Sequence, residues 1–339
     1  MSGCKDPVSN ADNFDKGVML TNLADNMILP ALNDFDTKID QLEADYIAFA
    51  ANRDAANLET LRNSWKQAYI SWQAIKIFDF GPVRDYGFKG STGTYPTDTA
   101  KIEANIQAGS YNLGSVNNAD AIGLPALDFL LYRDNALTYF VGNDPYTTYG
   151  LNVVQKVRSE LDLVVNGWSS FRTTFVSATG TETTSAFSEL VNEFNRDYEL
   201  AKAAKVGIPI GTQSLGIPLP EYTEARYSGI SFELLRASLI ALSKTYHGNS
   251  FSSNSAGVGF DDYLESLGRE ELSSIITNNF SGIIAKIDSF SGTLEENITT
   301  NPGDLDALYT LLQGQVVYLK TDMTSAFGVL ITYQDNDGD

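Results

Sequence analysis

The chain has 339 residues, 43% of them hydrophobic and 11% aromatic, enough for about two domains and a large core that needs no disulfide or metal staple. Its formal charge of −20 at pH 7 repels nucleic-acid backbones and anionic membrane surfaces and favours cationic partners. No run approaches the roughly 18 apolar residues of a membrane span, and a single cysteine permits no intramolecular disulfide.

The N-terminus reads Met1-Ser2-Gly3-Cys4, followed by a polar spacer through Asn13. Ser-Gly-Cys resembles the end of a bacterial lipobox, so Cys4 is the expected lipidation site and the only expected link to a membrane. Apolar residues then recur at helical spacing from Val18 to Phe49, predicting a first long helix. A second starts near Asn57 and carries Leu61, Trp65, Ala68, Tyr69, Trp72, Ile75 and Ile77. Its Trp65, Tyr69 and Trp72 form one stripe that reads as core. A loop with Gly81, Pro82, Gly87, Gly90 and Gly93 ends that helix. Shorter helices are expected over Thr97–Ile106 and Asn118–Tyr132, and longer ones over Thr148–Phe175 and Thr183–Ala204. Gly207–Pro220, with three prolines and three glycines, reads as a crossover or hinge. Helices over Glu221–Tyr246, Phe260–Leu267, Glu270–Phe290 and Pro302–Thr332 complete an all-α pattern.

The two ends resemble one another. Asn33-Asp34-Phe35 with Ile39 and Leu42 matches Asn278-Asn279-Phe280 with Ile284 and Ile287. Leu58, Leu61, Trp65 and Trp72 match Leu305, Leu308, Leu312 and Leu319. This predicts two helical bundles related by internal duplication, one over residues 14–175 and one over 176–335. Helices are free to exchange between the bundles, and a cleft is expected where they meet.

Chemistry-bearing motifs are few. One histidine, His247, cannot make a two-histidine zinc site, and its place at a helix end suits a cation opposing the helix dipole. The glycines from Gly81 to Gly93 lack the Gly-Lys-Ser/Thr ending of a phosphate loop. Asp335-Asn336-Asp337-Gly338-Asp339 has its glycine misplaced for a calcium loop. No catalytic residue, resident metal or cofactor is predicted.

Several segments together resemble the imelysin family, the M75 peptidase group that includes iron-regulated protein A. Gly123-Leu124-Pro125-Ala126-Leu127-Asp128-Phe129-Leu130-Leu131-Tyr132 is similar to its signature, Gly-x-His-x-x-Glu followed by an aromatic and two leucines. Arg62, Trp65, Ala68, Tyr69, Phe80-Gly81-Pro82 and Tyr95-Pro96-Thr97-Asp98 resemble upstream conserved segments. Glu224, Tyr227-Ser228, Ser231, Tyr246 and Gly248, then Leu319–Val329 and Asp335–Asp339, resemble downstream ones. The resemblance implies two helical bundles with a pocket near the signature helix, and an envelope protein serving bacterial iron uptake.

The departure lies in the signature itself. Pro125 stands where the histidine belongs and Asp128 where the glutamate belongs, so a nitrogen ligand is lost while a shorter carboxylate remains. The expectation is therefore a non-catalytic, lipid-anchored envelope protein facing periplasm or cell surface. Its ligand cleft would involve Arg62, Tyr95, Asp98, Gly123, Pro125, Asp128, Glu224, Tyr227 and Ser228. An iron complex or small cationic ligand and envelope uptake proteins are the expected partners. The alternatives are a divergent metallopeptidase using carboxylate ligands and an interaction scaffold with a vestigial cleft.

Overall fold

The structure, a computed structural model, describes residues 14–253 and 255–333. Cys4 and the Asp335–Asp339 segment lie outside the described residues. Among the described residues the protein is all-α, with no strand.

Asp15 opens the first rod by accepting hydrogen bonds from the N–H groups of Gly17 and Val18, an N-cap that satisfies two donors the helix leaves free. Lys16–Asn22 then runs through a π-helical stretch, Leu23–Ile28, into α1 (Leu29–Ala51). Phe35, Ile39, Leu42, Tyr46 and Phe49 recur at helical spacing on α1 and are buried. Asp54 caps α2 (Ala55–Ile75) through the Asn57 N–H, and α2 packs against α1. Its predicted stripe of Trp65, Tyr69 and Trp72 is buried, as are Leu61 and Ala68.

The helix α3 (Gly123–Tyr132) is apolar on every face save Asp128, and nine of its ten residues are buried. A long helix, α4 (Asp144–Ser177), packs on α1 and α3. The chain then folds into α5 (Ala186–Lys202), α6 (Ser231–Tyr246), α7 (Glu270–Asp288) and α8 (Pro302–Val316). Helices α7 and α8 pack together, and α6 touches both α7 and α2. That contact carries the buried apolar cluster continuously from Met19 to Val329. No helix among the described residues is long and apolar enough to cross a membrane.

The structure corrects several predicted boundaries. The helix expected over Glu221–Tyr246 begins only at Ser231. Ala225 and Gly229 take left-handed φ values of 51° and 74°, and the N–H groups of Tyr227 and Ser228 are spent on a side chain instead of a helical ladder. The last helix stops at Phe327, because Gly328 adopts a φ of 66° that ends it as a C-cap. The glycine loop after α2 folds into two short helices, Pro82–Asp85 and Phe88–Gly93. Ala136–Phe140 and Leu294–Thr300 are helices too short to show a period in the sequence. His247 is the C-cap of α6, and its Nδ1 lies 2.5 Å from Asp261 Oδ2, tying α6 to the helix Phe260–Ser266.

Candidate ligand-binding site

The signature helix α3 is held at both ends by α2. Trp65 Nε1 donates to the Leu124 carbonyl at 3.0 Å. Arg62 donates through Nε and Nη2 to the Leu131 carbonyl at 2.9 and 2.8 Å, and its guanidinium lies 4.8 Å from the Tyr132 ring centre. Arg62 therefore closes the C-terminal end of α3 and does not reach Asp128. Gly123 starts the helix with a φ of 77°, and a Cβ there would stand 2.4 Å from the Thr92 carbonyl oxygen. Only glycine lets α3 lie this close to the backbone of its neighbour. Pro125 sits in the first turn, where its missing N–H breaks no helical bond.

Asp128 is 2% exposed. Its Oδ2 accepts the Tyr227 N–H and its Oδ1 the Ser228 N–H, each at 3.0 Å. One carboxylate thus fixes the non-helical turn before α6 to α3. Burial pushes the Asp128 carboxyl up to about 7, against the pull of the hydrogen bonds from Ser228 and Tyr227, and the negative charge of Glu224 adds to the rise.

A cavity of about 310 Å³ opens beside this joint, lined by Tyr95, Pro96, Pro125, Asp128, Glu221 and Tyr227 among others. Asp98 lies outside that lining and caps the helix Thr99–Ala108 by accepting the Lys101 N–H at 2.9 Å. Ser228 turns its hydroxyl to the Ala225 carbonyl. Tyr95 also borders a second cavity of about 260 Å³, whose walls include Trp72, Lys76, Lys89, Asp197, Lys205 and Glu224. There Lys76 Nζ donates to both oxygens of Asp197, at 2.8 and 2.7 Å, and Lys205 pairs with Glu224. Burial lowers the Lys205 ammonium to about 8 although Glu224 holds it up. Burial and the charge of Glu224 raise both the Tyr69 and Tyr95 hydroxyls.

The family model of imelysin, peptidase M75, matches residues 28–322. The chain belongs to the imelysin family. Iron-regulated protein A of Synechococcus elongatus is 30% identical over 79 residues, 23% of this chain and 22% of that protein's length. Two solved structures share the fold. One, designated an iron-regulated protein A precursor from Parabacteroides distasonis, gives a TM-score of 0.78 at 13% identity, with 96% of this chain and 97% of that one covered. The other, an imelysin-like protein from Psychrobacter arcticum, gives 0.75 at 16% identity, with 98% and 100% covered.

The donor set of this imelysin-family chain does not fit a peptidase metal. Pro125 offers no nitrogen, both Asp128 oxygens already accept backbone N–H groups, and Glu224 is neutralised by Lys205. Among the described residues no three His, Cys, Asp or Glu side chains gather into a potential metal site. The lysine cavity is not legible in the sequence because its residues come from four separated segments. One signal was present: Lys76 interrupts the apolar run from Ala74 to Phe78, where a charge is expected to need a buried partner.

Proposed function

We propose that this imelysin-family protein is a non-catalytic binding component of bacterial iron uptake, tethered at the cell envelope through Cys4. It would take an iron complex or small cationic ligand in the cavity beside Asp128, with envelope uptake proteins as partners. The observation that carries this reading is the use made of the Asp128 carboxylate. Its two oxygens join α3 to the Tyr227-Ser228 turn, so the signature helix keeps its place while its chemistry is spent on a structural joint. The names of the relatives, iron-regulated protein A among them, support the link to iron. The cavity walls set Thr97, Thr99, Glu221, Thr223 and Arg226 among three tyrosines and two prolines, a lining suited to a polar guest.

Purified protein incubated with casein and insulin is expected to show no cleavage that zinc stimulates and a chelator abolishes. Calorimetric titration with an iron complex should give saturable, salt-sensitive binding that Tyr95→Ala weakens. Chelator-sensitive proteolysis lost in Asp128→Ala would overturn the reading in favour of a carboxylate-ligated peptidase. Absence of any saturable binding would favour a scaffold with a vestigial cleft.

A further inference from the structure

The second cavity has a charge character opposite to that of the chain. Among its lining side chains stand three lysines, Lys76, Lys89 and Lys205, against two carboxylates, Asp197 and Glu224, inside a protein whose formal charge is −20. Two of the lysines are matched one to one, Lys76 with Asp197 and Lys205 with Glu224, and all four side chains are at most 9% exposed. Lys89 is the lysine without a close carboxylate. Its Nζ is buried and has no hydrogen-bond partner. The nearest carboxylates are Asp197 at 3.8 Å and Asp79 at 3.9 Å, the first already held by Lys76 and the second shared with Arg196 at 4.0 Å. An ammonium group has three donors, and burying them unused costs free energy that a ligand oxygen recovers. Near Glu224, Gln73 Oε1 and Thr223 Oγ1 are also buried without partners. Native interiors hold few such atoms, and among the described residues lining this cavity Lys89 Nζ is the one left in that state, as a group awaiting a polar guest would be.

We propose that this cavity binds a small organic carboxylate, its anionic head drawn to Lys89 and its carbon body against Trp72. The volume of about 260 Å³ corresponds to about nine waters of liquid, which suits a short-chain acid and excludes bulky chelates. The matched pairs supply the fixed positive and negative framework. Lys89 Nζ, whose donors meet no acceptor within hydrogen-bond range, supplies the contact to the anionic head, strengthened by the low dielectric around it. Entry is from the side of Gly90, which borders the cavity and is solvent-exposed. This site is distinct from the cavity beside Asp128, and its test does not depend on iron.

Calorimetric titrations of the protein with succinate, inorganic phosphate and choline, at matched ionic strength, test it. Succinate is expected to bind saturably and choline not at all. Lys89→Met should weaken succinate by about tenfold or more, the loss of one charge-assisted contact, while Lys89→Arg retains most of the affinity. Because Lys89→Met alters a buried charge cluster, Gly90→Asp provides a second arm. A side chain there meets open space, so folding is undisturbed while a carboxylate is placed at the entrance, and succinate binding should again fall. No saturable binding of succinate by the unaltered protein, binding of phosphate in its place, or succinate affinity unchanged in both Lys89→Met and Gly90→Asp would overturn the proposal.

Discussion

Asp128 and Asp197 are both buried aspartates at the edge of a cavity, 2% and 0% exposed, yet they are stabilised in opposite ways. Asp128 has backbone N–H groups and no cation within reach, and burial drives its carboxyl up to about 7. Burial also works to raise Asp197, but the charges of Lys76 and Lys89 outweigh it and hold the carboxyl below its ordinary value. Depth alone therefore does not decide the ionisation of an acid. The charge of its partners does, and hydrogen bonds from neutral amides are the weaker correction in this protein.

The largest effect should come from breaking the cationic side of this comparison. Lys76→Met leaves Asp197 buried without a hydrogen-bonded cation, with Lys89 and Lys205 acting only from further off, and a loss of about 3–5 kcal/mol is expected at pH 7 by urea denaturation. Asp197 has a depressed folded pKa, so its contribution is present above its ordinary value and is lost as pH falls through the folded one. The deficit of the variant should accordingly shrink in acid. A deficit under 1 kcal/mol at pH 7 would show that Lys89 and Lys205 suffice.

Asp128 should show the opposite pH dependence. Its folded pKa is raised, so its contribution is full below about pH 4 and is lost as pH rises through about 7. Asp128→Ala leaves the Tyr227 and Ser228 N–H groups unpaired, a cost of about 1–3 kcal/mol. The gap from the unaltered protein should be widest near pH 4 and close toward pH 8. Denaturation curves in which the gap widens with pH would mean that the amides hold the charged form better than burial opposes it.

The smallest effect sharpens the boundary of the site. Arg62→Ala removes two donors from the Leu131 carbonyl and should cost about 1–2 kcal/mol of stability. Ligand affinity at either cavity should be unchanged, since Arg62 borders neither. A drop in affinity without a drop in stability would return Arg62 to the site.

The long helices were legible because their apolar residues repeat over many turns: the rod from Lys16 to Ala51 and α2 differ from their predicted spans only at the ends. The turn from Thr223 to Ile230 carries a helical spacing in Tyr227 and Ile230, yet it is not helix. Nothing local announces that Asp128, about a hundred residues earlier, takes the N–H groups. Pro125 and Asp128 were identifiable because they interrupt a recognisable signature. Lys89 and Lys205 were not, because buried lysines gather visibly only when the fold brings separate segments to one cavity.

The account rests on Asp128 acting as a joint between α3 and the turn before α6, with no metal in that role. Carbon-13 NMR of the Asp128 carboxyl, assigned through Asp128→Asn and followed from pH 4 to 9 with and without stoichiometric zinc, reads this directly. The carboxyl signal is expected to titrate near 7 and to be indifferent to zinc. A midpoint in the ordinary aspartate range, or one that zinc drives downward, would contradict it.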